Sequence, residues 1–250
     1  MVRMQKSKRK RSARKAFLLI IISALLIFAC VKTGLHGASK VGIAKAKHQP
    51  AAQDYLVLVN WEHPIDDNIS PELVYLYEVI DSENATFNNA EHQVEHAAGS
   101  AANQMFAAAK REGIEGYIIN SAYRSAAEQW AIWQNRLDQD PSYGSDPYNS
   151  PVKAMPGDRS EHSTGLALDI LSKTHNAADD AYGSTVEGKW LAEHAHKYGF
   201  ILRYPKDKEH ITGVIYEPWH FRYVGVDAAT EIYEKGLCLE EYLLGVYKDK

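Results

Sequence analysis

The sequence predicts an α+β fold: a small, mostly antiparallel sheet flanked by helices. Two observations carry this. Apolar runs of strand-like and helix-like period alternate loosely along the chain, and the later ones follow one another at hairpin-like spacing. Composition bounds the result. A chain of 250 residues, 45% hydrophobic and 24% charged, is neither intrinsically disordered nor a polytopic membrane protein. Its length allows one domain plus a tail, or two small domains.

Residues 55–59, Tyr-Leu-Val-Leu-Val, form a β-branched and aromatic run that reads as a strand. A polar, Pro-marked loop follows through Pro71. Residues 91–111 are Ala-rich, with Val94, Ala98, Ala101, Met105 and Ala108 at helical spacing, and Gly113 closes that helix. Tyr117-Ile118-Ile119 is a short strand. Ser125, with Glu128 three residues on, starts the next helix as a capping box. Trp130 and Trp133 fall on one face of it and are expected in the core. Residues 138–159 form a long Asp-, Pro-, Ser-, Tyr- and Gly-rich loop, of a length that is usually functional or mobile. A strand over 166–171, a helix over 186–198 ended by Gly199, strands from Phe200 and over 219–224, a helix capped by Asp227 and running through Lys235 and a short amphipathic segment complete the chain.

The net charge of −4 is an average over two unlike parts. Residues 1–50 hold 12 Lys/Arg and no acid, a charge of +12; the rest holds the other 16 Lys/Arg and all 32 Asp/Glu, a charge of −16. The large part would repel phosphate, so no nucleic-acid partner is expected. The sequence divides into a basic segment over 1–15, an apolar run over 16–31, a flexible linker over 32–53 and a folded domain over 54–250. A spanning helix needs about 20 residues, so 16–31 is short but workable with snorkelling flanks. Its basic side stays in the cytoplasm, which sends the C-terminal part outside. The expectation is a single-pass anchor, with a cleavable signal or lipidation near Cys30 as alternatives. Two cysteines, Cys30 and Cys238, cannot form a disulfide scaffold. Cys238 reads as a buried thiol.

Chemistry concentrates in two blocks. In Ser160-Glu161-His162-Ser163-Thr164-Gly165-Leu166-Ala167-Leu168-Asp169, a polar-turn histidine is followed by a strand carboxylate. An imidazole nitrogen with a carboxylate oxygen suits zinc, and Gly165 permits a tight turn. The second block is Glu217-Pro218-Trp219-His220. Glu and His three apart face opposite sides of an ideal strand, but Pro218 implies a bulge or a strand start that could aim both into one site. His162, Asp169 and His220 then supply three ligands and leave a position for water, with Glu217 left over as general base.

These motifs, S-x-H-x-x-G-x-A-x-D followed by E-x-W-H, resemble those of the LAS zinc metallopeptidases (lysostaphin, D-Ala-D-Ala peptidases, hedgehog), and among them the VanY-type D-alanyl-D-alanine carboxypeptidases. Tyr123-Arg124-Ser125 with Gln129, residues 198–205, Ile211-Thr212-Gly213 and residues 217–225 extend the resemblance over about 55–245. It implies a hedgehog/D-Ala-D-Ala-peptidase-like fold and a Zn²⁺ cofactor on His162, Asp169 and His220. Glu217 matches the family's catalytic base, and Arg124 the arginine engaging substrate near the scissile bond. Gln129 and Ser160 match positions near the bound peptide. The implied activity is removal of C-terminal D-Ala from a peptidoglycan stem peptide or lipid-linked precursor, by a monomer at the outer face of a bacterial cell membrane, with a possible contribution to glycopeptide resistance. An L,D-carboxypeptidase acting on tetrapeptide stems, or a non-hydrolytic zinc-containing wall-binding domain, are the alternatives.

Arg203 is a second candidate cation for the substrate carboxylate. His92-Gln93-Val94-Glu95-His96 matches the inverted zincin motif H-x-x-E-H, but a polar helix face is the expected reading. His194 and His196 are expected to face solvent, and His210 to lie in a loop.

Overall fold

The computed structural model describes residues 55–66 and 69–248. The expected anchor and linker, and Cys30, therefore lie outside the described residues. Among those described, no helix is long and apolar enough to cross a membrane.

Two sheets organise the domain. Strands β1 (Leu73–Tyr75) and β3 (Gln93–Glu95) pair antiparallel, with helix α1 (Leu76–Val79) following β1. The main sheet has the order β2-β4-β5-β7-β6, formed by Ala85–Phe87, Tyr117–Ser121, Ala167–Ser172, His220–Tyr223 and Phe200–Leu202 respectively. β2 and β4 run parallel and the other three pairings are antiparallel, as the hairpin-like spacing predicts. The longer helices are α2 (His96–Arg111), α3 (Ala126–Gln139), α4 (Val186–His194), α6 (Val226–Lys235) and α7 (Leu239–Lys248), with α5 a single turn over Glu209–Thr212.

The sheet separates packing from chemistry by strand alternation. Tyr117 and Ile119 of β4, Leu168 and Ile170 of β5 and Phe221 of β7 join Ala98, Ala102, Met105, Phe106 and Ala109 of α2 in one buried core. The intervening residues Asp169, His220 and Arg222 point to the other face. A second cluster, built on Ile201, Val224, Ala229, Ile232, Leu239 and Leu243, lies under α6 and α7.

Several elements differ from the sequence expectation. Residues 55–59 are not a strand. Their alternation is real, with Tyr55 and Val57 in the main core and Leu56 and Leu58 against the second cluster. However, the carbonyls of Tyr55 and Val57 accept from Arg222 Nη2 (3.0 and 2.8 Å), and no strand ladder forms. The helix expected from residue 91 starts at His96. Glu95 ends β3 and caps α2, accepting from the Ala97 and Ala98 amides at 2.8 and 3.0 Å. Ser125 and Glu128 form the expected capping box, an arrangement worth about 1 kcal/mol. Trp133 is buried, but Trp130 is 46% exposed and covers Gly157, whose Cα leaves no room for a Cβ beneath the indole. The helix from residue 186 turns 3₁₀ over Ala195–Tyr198 before Gly199. Asp227 lies in the first turn of α6, whose cap is Gly225. The loop over 138–159 is anchored by a bridge between Val152 and Val214.

Candidate metal centre

Asp169 and His220 are direct cross-strand partners on β5 and β7, so their side chains emerge side by side from one face. His220 Nδ1 lies 2.9 Å from Asp169 Oδ1. His162 arrives from a 3₁₀ turn over Glu161–Thr164 that ends at Gly165 with φ +72°. There a Cβ would sit 3.2 Å from the Glu95 amide and 2.9 Å from Leu73, so the position needs glycine on both conformational and steric grounds. The turn delivers His162 Nε2 to 3.3 Å from Asp169 Oδ2. One ligand atom from each of His162, Asp169 and His220 falls within 4.8 Å of the others.

Glu217 joins them through a turn rather than a bulge. The His220 amide donates to the Glu217 carbonyl at 3.0 Å, so Pro218 and Trp219 occupy the two central turn positions immediately before β7. The reversal returns Glu217 to the side of His220, with Oε2 3.9 Å from His220 Nδ1.

Arg124 occupies the other wall. Its Nη2 donates to Ser121 Oγ (2.8 Å) and lies 4.0 Å from Asp169 Oδ2, and its Nη1 donates to Gln129 Oε1. Gln129 is buried and spends its amide donor on the Met155 carbonyl at 2.7 Å, so both ends of this side chain are committed to the protein and one of them orients Arg124. The Arg124 amide donates to the His162 carbonyl, tying the two walls together. Ser160, buried, lines the same cleft of about 170 Å³, as do Lys153 and Arg136. Lys153 Nζ donates to the Ala178 carbonyl (2.6 Å) and sits 4.8 Å from the Trp219 ring centre.

Burial and charge set the protonation of these groups. Burial opposes ionisation of Asp169, yet His162 and His220 hold its carboxyl well below the usual range. Burial lowers the His162 pKa. Burial would also lower His220, but the Asp169 and Glu161 carboxylates outweigh it and raise this imidazole to about 9. For Glu217 burial wins: His220, Lys153 and Arg124 favour the carboxylate, but burial, with Asp169 adding to it, pushes its carboxyl up to about 8.

The donor set fits zinc. Two imidazole nitrogens and one carboxylate oxygen converge, and His162 Nδ1 lies 2.6 Å from the Ala122 carbonyl, which fixes the proton there and leaves Nε2 facing the cluster.

Other candidates fall away. Arg203 does not reach the cleft. It is fully buried, donating to Glu161 at 2.7 Å and to both oxygens of Glu240 at 2.9 and 2.6 Å, and it is structural. The H-x-x-E-H residues do not share a helix face. Glu95 is the α2 cap, while His92 Nε2 lies 3.0 Å from Asn88 Oδ1 and 3.2 Å from the Asn120 carbonyl. His194 and His196 are not free in solvent, being stacked on Trp190 and Tyr233. His210 is exposed, on α5 rather than in a loop. Cys238 is a buried thiol whose pKa burial pushes up to about 12. Sequence reading passed over Glu161, which takes the variable position of the S-x-H motif. It is buried against Arg203 and Arg222, and the only signal for it was an acid beside a ligand histidine.

A family model for VanY, D-alanyl-D-alanine carboxypeptidase, matches residues 91–226. A D-alanyl-D-alanine carboxypeptidase of Enterococcus faecalis is 36% identical over 208 residues, covering 80% of this chain and 70% of that protein. Among solved structures, the LdcB LD-carboxypeptidase is 38% identical with a TM-score of 0.66, covering 77% of this chain and 86% of its own. VanY from a VanB-type vancomycin resistance cassette, in complex with Zn(II), is 34% identical with a TM-score of 0.61, covering 76% and 99%. Fold and site thus define a zinc metallopeptidase of the LAS type. The chain belongs to the VanY family of D-alanyl-D-alanine carboxypeptidases, and its cofactor is zinc.

Proposed function

We propose that this chain removes the terminal D-Ala from peptidoglycan stem peptides or their precursors, with His162, Asp169 and His220 holding zinc and Glu217 as general base. The observation that carries this reading is Glu217, a buried carboxyl 3.9 Å from a nitrogen of His220 and, among the described residues, without a Lys or Arg within ion-pair distance. A carboxyl kept in that position with a raised pKa suits proton exchange better than structural pairing.

Bound zinc supplies Lewis-acid polarisation of the scissile carbonyl and an acidified water. Glu217 accepts the proton of the attacking water and hands it to the departing D-Ala amine. Arg124, beside Asp169 and held by Ser121 and Gln129, faces the carbonyl oxygen as negative charge develops there. Lys153, on the Glu217 side of the cleft, is placed to meet the terminal carboxylate. In a domain whose residues 51–250 carry −16, these cations and the metal give the cleft its local attraction for an acidic peptide end.

The basic leader and apolar run over 1–31 support a location outside the cytoplasmic membrane, tethered or released, where wall peptides are found. There the reaction would also reduce the targets of glycopeptide antibiotics. L,D-cleavage is the second reading, favoured by the likeness to LdcB. Supplying the zinc-loaded chain with a pentapeptide ending in D-Ala-D-Ala and, separately, with the tetrapeptide, and weighing the products, separates the two. Release of D-Ala from the pentapeptide is expected. Turnover of the tetrapeptide alone would replace D,D by L,D specificity, and turnover of neither would reject the enzyme reading.

A further inference from the structure

We propose that Glu161 is a positioning residue for His220, selecting Nδ1 as the nitrogen that faces the metal; this rests on the zinc assignment above. His220 Nδ1 is turned to Asp169 and Glu217, and Nε2, the other ring nitrogen, is turned to Glu161. It is buried and lies 3.6 Å from Glu161 Oε2. Neither atom has a hydrogen-bond partner among the described residues. Two buried polar atoms abandoned side by side would be costly, and a small closure of this gap satisfies both.

The rest of the carboxylate is already fixed. Arg203 Nε and Arg222 Nη1 both donate to Glu161 Oε1, each at 2.7 Å, which leaves Oε2 free to receive the His220 Nε2–H. Arg203 is held in turn by Glu240, and Arg222 by the Tyr55 and Val57 carbonyls. The clamp therefore reaches from the start of the folded domain to α7. With its proton held on Nε2, the imidazole presents the Nδ1 lone pair toward Asp169 and Glu217. His162 has the opposite arrangement, with Nδ1 on the Ala122 carbonyl and Nε2 facing the site. The two ligand histidines thus need opposite tautomers, and each is set by a different acceptor.

Glu161→Gln tests this sharply. The two guanidinium donors on Oε1 would hold the amide oxygen there and turn the amide NH₂ toward His220 Nε2, setting donor against donor. In the full chain, competition with a chromophoric chelator should show the zinc dissociation constant raised roughly 10–100-fold in E161Q. Glu240→Gln disturbs the same clamp without touching His220 and should keep zinc affinity close to wild type. Wild-type zinc affinity in E161Q, or equal weakening in both variants, would overturn the proposal. Should E161Q fail to fold, ¹⁵N NMR of the histidine-labelled, zinc-loaded wild-type chain decides: a protonated Nε2 on His220 is expected, and ligation through Nε2 refutes it. Failure of wild type itself to bind zinc would instead reject the site assignment.

Discussion

Asp169 and His220 are paired residue to residue across the β5–β7 ladder, Oδ1 to Nδ1 at 2.9 Å, although 51 positions separate them in the chain. Two of the three side chains proposed to hold zinc are therefore set by strand register. A one-residue slip of β7 would turn His220 into the core and Phe221 into the site.

Replacing Glu217 should separate chemistry from assembly. Glu217→Ala is expected to fold and bind zinc stoichiometrically while losing about 10²–10⁴ of its kcat, the usual span for general-base catalysis. Metal analysis and steady-state peptide hydrolysis on one preparation check this; near-normal turnover would reassign the base.

Zinc uptake should release protons at pH 7. In the metal-free protein His220 is raised to about 9 and Glu217 to about 8, so both hold a proton at that pH. Ligation requires the neutral imidazole, and the metal's charge draws the carboxyl down. Calorimetric titration with zinc in buffers of different ionisation enthalpy is expected to give roughly one to two protons released per site. No dependence on buffer would contradict those protonation states.

Arg124 and Lys153 should fail differently. An interaction made only as charge develops on the carbonyl lowers kcat, whereas one made equally to the ground state raises KM. Arg124→Lys, which loses the fork held by Ser121 and Gln129, is expected to reduce kcat by about 10²–10³-fold, the loss typical of an oxyanion donor. Lys153→Met is expected to raise KM several-fold with kcat nearly kept. Interchanged signatures would exchange the two roles.

Acid should loosen the domain through the buried carboxylates. Burial opposes ionisation of Glu161 and Glu240, but Arg203, joined at Glu161 by Arg222, holds both below the ordinary value of 4.5. Between 4.5 and those depressed values the unfolded chain binds more protons, so stability falls as pH falls. Above 4.5 this contribution is complete. Thermal melts of the metal-free chain from pH 7 to pH 3 should show a Tm that is nearly level at first and then declines below about 4.5. The decline should be shallower in Glu240→Gln, and an equally steep one would remove Glu240 from the account.

The sequence by itself determined the fold class and the strands from Tyr117 onward, and it singled out His162, Asp169 and His220, whose donor atoms the fold brings together. Those features rest on local signals: a capping box at Ser125 and Glu128, a glycine that alone fits the turn after His162, and donor types fixed by chemistry. It could not say that 55–59 forms no ladder, because an apolar alternating run looks the same whether its carbonyls meet a neighbouring strand or the guanidinium of Arg222. Nor could it tell Arg203 from a cleft cation or Glu161 from a surface acid. The burial of both side chains depends on partners some 40 to 60 positions away, and a charge loses its water only when the tertiary structure closes around it. The candidate ligands could be read residue by residue; which nitrogen each histidine turns toward Asp169 was decided by the packed fold alone.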